Sequence, residues 1–184
     1  MNAVVNTDDW PALPPCRVVV MGVSGCGKTT VADLLAEALQ WPCIEGDRHH
    51  PHPNIDKMSS GIALNDDDRA GWLDVLSQFV RNSAQRHEGL VLTCSSLKRK
   101  YRDRFRQADP EVRFIHLVGT REDISPRLAA RTGHYMPPSL LESQFNDLEP
   151  PGADESAIAL SIRLDPPRIV QLAVRQLALT FSHS

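Results

Sequence analysis

The sequence predicts an α/β protein with a doubly wound, mostly parallel five-stranded sheet and helices on both faces. The main observation is an alternation along the chain. Short segments rich in valine, isoleucine and leucine are followed by segments whose apolar residues recur at helical spacing. In addition, the first strand, at residues 16–21, is an apolar run rich in valine, interrupted by Arg17 alone, as is typical of parallel strands buried on both faces. A glycine-rich turn then joins this strand to the first helix.

The elements alternate in a regular order. Strands are predicted at 16–21, 41–45, 89–94, 112–118 and 157–162, and helices at 28–40, 65–87, 97–107, 121–132, 139–148 and 166–181. The second helix has the clearest start, because Asn65 or Asp66 can cap it and acidic residues fill its first turn. The last helix opens with two prolines, which suit a first helical turn. Residues 133–138 are predicted to be a break.

Composition limits the function classes. The 184 residues suit one domain, and 41% hydrophobic residues are enough for one core. A net charge of -3 gives no general attraction to nucleic acid or to an anionic membrane. We expect residues 1–15 to be a flexible arm without a secretory signal, and residues 16–184 to be the single domain. Four scattered cysteines without a CxxC pair favour reduced thiols and a cytoplasmic protein.

A phosphate-binding loop follows the first strand. Residues 22–29, GVSGCGKT, match G-x-x-x-x-G-K-[ST] in full. In such a loop, backbone N–H groups and the following helix N-terminus surround phosphate oxygens. Lys28 would reach the β- and γ-phosphates, and the Thr29 hydroxyl would bind Mg²⁺. The predicted ATP-binding residues are Gly22, Val23, Ser24, Gly25, Cys26, Gly27, Lys28, Thr29 and Thr30. The alternative is an ordinary glycine-rich turn.

Other features indicate a small-molecule kinase. A guanine-reading N-K-x-D is absent from the sequence, and the third strand ends in TCSS without the acid usual in motor or pump ATPases. Asp47 lies just past the second strand, and ligands of open α/β sheets gather at the carboxyl ends of strands. This arrangement resembles kinases of the nucleoside monophosphate and shikimate kinase type. Arg127 and Arg131, four residues apart, would then act from a catalytic lid. A solvated helix with two arginines is the alternative.

Four motifs in order resemble the P-loop gluconokinases. They are MGVSGCGKT, GDRHHPHPNIDKMSSGIALNDDDRAGWL, CSSLKRKYRD and RTGHYMPPSLLESQFNDLEPPGADE, from about Met21 to about Glu155. The second motif is long and is not shared with shikimate or adenylate kinases. Two positions depart from the family pattern, Ala63 for a proline and Cys26 for a serine. We treat both as tolerated, since contacts from a phosphate loop are mainly made by its backbone.

The resemblance implies phosphorylation of D-gluconate at its 6-hydroxyl by Mg-ATP. The substrate-binding segment would span about 47–86 and the lid about 127–147, and a homodimer would be possible. Lys28, Asp47, Arg127 and Arg131 would be catalytic, and Asp47 would also approach Mg²⁺ through water. A polyhydroxy carboxylate needs acceptors for its hydroxyls and cations for its carboxylate. The predicted substrate-binding residues are Asp47, His50, Asn54, Lys57, Arg69, Lys98 and Arg102.

Rival interpretations remain at this stage. His49, His50 and His52 could bind zinc, although no further cysteine or histidine has structural-site spacing. The acidic run at residues 66–68 could bind Mg²⁺. Alternatively, it caps a helix, and Asp68 then bonds to Arg69. The substrate could be shikimate or another hydroxy acid. The chain could also be a nucleotide-binding regulator without activity.

Overall fold

The computed structural model describes residues 11–129 and 138–182, and its centre is a five-stranded parallel sheet. The strands are β1 (Arg17–Met21), β2 (Cys43–Glu45), β3 (Leu90–Thr93), β4 (Arg113–Val118) and β5 (Ala157–Ser161), in the spatial order β2-β3-β1-β4-β5. All four pairings are parallel, which confirms the predicted fold class. The carboxyl ends of the strands therefore meet at one edge of the sheet.

Helices cover both faces of the sheet. They are α1 (Lys28–Leu39), α2 (His52–Ser59), α3 (Asp66–Gln85), α4 (Arg99–Ala108), α5 (Arg121–Ala129), α6 (Pro138–Asp147) and α7 (Pro166–Phe181). The strand β1 explains why two cores form, because its side chains alternate between the faces. Val18 and Val20 join the core that α1 and α7 cover. Val19 and Met21 join the core that α3 and α4 cover.

The helix α2 is the one α-helix of the described residues that the sequence pattern did not predict. Its residues, HPNIDKMS, carry no apolar stripe, and Asn54 is the one fully buried side chain in it. Hydrogen bonds to the start of α3 hold it instead: the Asn54 amide donates to the Asp68 carbonyl at 2.7 Å, and Lys57 pairs with the Asp68 carboxylate. Tertiary contacts of this kind leave no periodicity in the sequence.

The start of α3 agrees with the predicted cap. The Asp68 N–H donates to the Asn65 side chain at 2.8 Å, and the Asn65 N–H donates to the Asp68 carboxylate at 3.0 Å. This reciprocal pair is a capping box, which satisfies backbone donors at the helix start. The expected Asp68–Arg69 bond is absent from the described contacts. The Asp68 carboxylate bonds to Asn65 and Lys57, and Arg69 donates to the Leu64 carbonyl. Among the described residues, no helix is long and apolar enough to cross a membrane.

Candidate active site

The loop at residues 22–29 lies at the carboxyl edge of the sheet, between β1 and α1. Its backbone requires glycine at Gly25, where φ is +79° and a Cβ would lie 2.8 Å from Leu128 of α5. Gly27 precedes α1 and offers no side-chain cap, so the first amides of α1 keep their donors directed outward. This is the geometry that binds anions at a helix N-terminus.

The Lys28 side chain folds back over this loop. Its ammonium donates to the Gly22 carbonyl at 3.0 Å and to the Val23 carbonyl at 3.1 Å. The charge therefore lies over the concave side of the loop, where a phosphate group would be surrounded by amides. Lys28 also lines the pocket beside the loop.

A carboxylate that the sequence analysis missed contacts Thr29. The Thr29 hydroxyl donates to Glu45 at 2.6 Å, and the Thr93 hydroxyl donates to the other oxygen of the same carboxylate. Thr93 in turn accepts from the Gly46 N–H at 3.0 Å. Glu45 is the last residue of β2. Like Asp47, it therefore lies at the carboxyl end of a strand, where ligands of open α/β sheets bind. Hydroxyl and carboxylate oxygens are suitable ligands for Mg²⁺ and its waters.

A pocket of about 320 Å³ opens next to the loop. Its wall combines the phosphate loop, the strand ends, the α2–α3 segment and the helices α5 and α6. Within the described part of the chain fifteen residues line it, among them Ser24, Lys28, Asp47, His50, Met58, Leu64, Arg69, Ser95, Leu128, Ser143 and Gln144. The structure thus brings Lys28, Asp47, His50 and Arg69 together, which are four of the predicted site residues. Those four place a lysine ammonium, a carboxylate, an imidazole and a guanidinium around one cavity.

The environment of His50 keeps its ring neutral. The ring stacks on Trp72 with centroids 4.0 Å apart, and Nε2 lies 4.0 Å from the Asp47 carboxylate. Burial lowers the pKa of His50 to about 4, although Asp47 opposes the shift and Arg69 adds to it. At neutral pH the imidazole can therefore donate one hydrogen bond and accept another without adding charge to the pocket.

Two predicted substrate ligands, Asn54 and Lys57, connect α2 to α3, and their binding of substrate stays a prediction. Both contact Asp68, and neither lines the pocket. Lys57 forms a 2.5 Å ion pair with Asp68, and that contact, followed by the backbone N–H of Asn65, lowers the pKa of the Asp68 carboxyl. These residues therefore shape the pocket wall by attaching α2 to α3.

Arg102, a further predicted substrate ligand, does not line the pocket, and its contacts give it a structural role. Its side chain is fully buried, and its guanidinium forms a double hydrogen bond with Glu155 at 2.5 and 3.0 Å. It also donates to the Ser96 carbonyl at 2.9 Å. A guanidinium held by so many internal acceptors cannot turn to an external carboxylate without leaving Glu155 buried and uncompensated.

Lys98 also lies outside the pocket lining. Its ammonium is 3.1 Å from Asp66 and 3.3 Å from Asp147, so it links the start of α3 to the end of α6. The Asp66 carboxylate additionally accepts from Lys100 and from Tyr101, and these bonds hold the pKa of Asp66 well below its ordinary range. Of the predicted carboxylate-binding cations, Arg69 is the one that lines the pocket.

The predicted lid is described in part. Arg127 donates to the Ile162 carbonyl at 2.7 Å, near the end of β5, and is not part of the pocket lining. Arg131 lies outside the described residues, so its catalytic role stays a prediction. The helix α6, which follows later in the proposed lid, contacts the phosphate loop. The Gln144 side chain accepts a hydrogen bond from the Ser24 N–H at 2.6 Å. Sequence analysis missed Gln144, since a helical glutamine carries no distinctive pattern.

The histidine cluster shows packing contacts. The ring of His49 lies 4.9 Å from that of Phe79, and His52 is the first residue of α2. Within residues 11–129 and 138–182, no three histidine, cysteine or acidic side chains are grouped as a metal site would require. All four cysteines are free thiols.

Comparisons with known proteins agree with this geometry. Residues 18–151 match a family model described as an AAA domain. The gluconokinase of Gluconobacter oxydans is 45% identical over 163 residues, which cover 89% of this chain and 92% of that protein. The thermosensitive gluconokinase of Escherichia coli is 46% identical over 147 residues, covering 80% and 77%. A gluconokinase structure from Sinorhizobium meliloti superposes with a TM-score of 0.84 at 38% identity, covering 94% and 98%.

Proposed function

The chain belongs to the gluconokinase family, and we propose that it transfers the γ-phosphoryl group of ATP to the 6-hydroxyl of D-gluconate, giving 6-phosphogluconate and ADP. The observation that carries the proposal is the shared pocket at the sheet edge. It is lined by Lys28 of the phosphate loop, by the Asp47 carboxylate and by the Arg69 guanidinium. These groups match, in order, the phosphate donor, the acceptor hydroxyl and the acid group of a sugar acid.

The phosphate side of the pocket stabilises charge. The outward amides of α1 and the loop would hold the α- and β-phosphates, as in other helix N-terminal anion sites. Lys28 would exchange its contacts with Gly22 and Val23 for contacts with the β- and γ-phosphates. Its charge then acts on oxygens that gain negative charge as the terminal bond breaks, which is a transition-state contribution.

The acceptor side activates the hydroxyl. Asp47 is 69% exposed at its side chain and lines the same pocket as Lys28. Its carboxylate would accept a hydrogen bond from the 6-hydroxyl and take the proton late in transfer, as the oxygen bonds to phosphorus. The neutral His50 ring beside it would fix the position of the carboxylate without neutralising its charge.

The acid group of the substrate would bind Arg69. This side chain is 7% exposed, and its Nε donates to the Leu64 carbonyl at 3.4 Å, which helps to orient the guanidinium. A planar guanidinium matches a carboxylate with two parallel hydrogen bonds. A buried cation of this kind also disfavours uncharged sugars, because they would leave it uncompensated.

The chemistry of Thr29 and Glu45 fits a magnesium ion that accompanies ATP. Thr29 would provide a direct hydroxyl ligand, and the carboxylates of Glu45 and Asp47 would hold bound waters. The ion, when bound, neutralises charge on the β- and γ-phosphates. Arg127 and Arg131 remain proposed lid residues. We keep 47–86 as the proposed substrate-binding segment and 127–147 as the proposed lid, within one domain at 16–184.

Coupled ADP release over a panel of gluconate, glucose and shikimate tests the proposal. We expect turnover with gluconate, and two-dimensional phosphorus–proton NMR should place the new ester on the carbon-6 methylene. Faster turnover of shikimate would transfer the assignment to another hydroxy acid. A folded protein that binds ATP but phosphorylates none of the three would contradict catalysis and favour a regulator.

A further inference from the structure

The contact between Gln144 and Ser24 places a side-chain acceptor on a backbone amide of the predicted phosphate-binding loop. Gln144 is 9% exposed, lies on α6, and lines the pocket together with Ser24. The contact is short, at 2.6 Å, and because the Ser24 N–H is a donor, the glutamine must offer its carbonyl oxygen. This oxygen has the same role that a phosphate oxygen has in an occupied loop.

Other contacts show that the lid-flanking helices lie against this loop. Leu128 and Ile124 of α5 lie where a side chain at Gly25 would point, at 2.8 and 3.0 Å from an ideal Cβ. Lys28 binds two carbonyls of the loop itself. Several of the groups that would receive phosphate are therefore engaged by the protein, and Gln144 comes from a helix that also lines the sugar-acid pocket through Ser143.

We propose that Gln144 is a positioning residue that competes with the phosphates of ATP for the Ser24 amide. This inference rests on the proposed use of ATP by the same site. Nucleotide binding must break the Gln144–Ser24 bond, and the break releases the α6 wall of the pocket from the phosphate loop. Occupation of the loop is thereby communicated to the helix that faces the second substrate.

Removal of the competing oxygen should tighten ATP binding. A single hydrogen bond of this type contributes enough to change an equilibrium about two- to tenfold. We expect the dissociation constant of ATP, measured by titration calorimetry without gluconate, to fall by that factor in Gln144→Ala. Gln144→Met keeps the approximate volume of the side chain and should lower the dissociation constant in the same way. It replaces the alanine variant as the test if that variant folds poorly.

Two controls separate competition from a general structural effect. AMP lacks the β- and γ-phosphates, so its affinity should stay within about twofold of wild type in both variants. Gln78→Ala removes an exposed glutamine of α3 and should change neither affinity. Unchanged or weaker ATP binding by both Gln144 variants, with wild type binding ATP, overturns this inference alone. A wild-type protein that binds no ATP overturns the proposed function and this inference together.

Discussion

Substitution of Arg69 by methionine should remove the recognition of the substrate carboxylate. Arg69 is nine-tenths buried and lines the pocket, whereas Lys57 and Lys98 are paired with aspartates outside its lining. A hydrogen bond to a charged group contributes about 1.5–3 kcal/mol, and 1.4 kcal/mol corresponds to a factor of ten. We therefore expect the KM for gluconate to rise about 10- to 150-fold in Arg69→Met.

Lys57→Met is the matched control. Lys57 is 41% exposed and paired with Asp68, so its loss should change the KM for gluconate by less than about fivefold. Steady-state kinetics with gluconate varied at saturating ATP measures both variants, and thermal melting checks that each is folded. An Arg69 variant with a nearly wild-type KM, beside a Lys57 variant with a large increase in KM, would refute the assignment of Arg69. Lys57 of α2 would then be the residue that binds the substrate carboxylate.

Three further predictions concern catalysis and stability. Lys28→Ala should lower kcat by about 10³ or more, because several kcal/mol of transition-state stabilisation are lost; a folded variant with nearly wild-type ADP release would exclude the phosphate-loop mechanism. Arg131→Lys should lower kcat because it loses the planar fork but keeps the charge, and unchanged kcat in both Arg131→Lys and Arg131→Ala would show that this segment is no catalytic lid. Burial alone would raise the pKa of Glu155, but Arg102 and the Gly152 N–H lower it from an ordinary 4.5 to about 2. The carboxylate thus contributes roughly 3 kcal/mol that is complete above pH 4.5 and is lost as pH falls toward 2. Urea unfolding between pH 7 and pH 3 should show this decline in wild type and a shallower one in Glu155→Gln, and equal slopes would contradict it.

The sequence predicted the sheet because its strands and most of its helices leave local patterns. The run at residues 18–21 is apolar throughout since both of its faces are buried, and the phosphate loop is a fixed motif in a fixed context. The helix α2 escaped prediction because its stability comes from Asp68, which lies on another helix. Local periodicity carries no information on such contacts.

The site was predicted less completely, because the sequence shows which residues are charged but not which groups they contact. Arg102 belongs to a basic segment that resembles a substrate-binding cluster, yet its partner, Glu155, lies far along the chain. Glu45 was within reach of sequence reasoning, since it ends a strand two residues before Asp47. Gln144 was not, because its contact with Ser24 depends on how α6 packs against the loop.

The kinetics of Asp47→Asn test the central claim most directly, namely that this pocket positions and activates the 6-hydroxyl. The asparagine keeps the shape and one acceptor oxygen but removes the charge that accepts the proton. We expect kcat to fall by at least about 10², with the affinity for ATP little changed and a melting temperature close to that of wild type. A variant that melts like wild type and keeps most of its kcat would contradict the claim, and the acceptor would then have to be sought elsewhere, first at Glu45 beside Thr29.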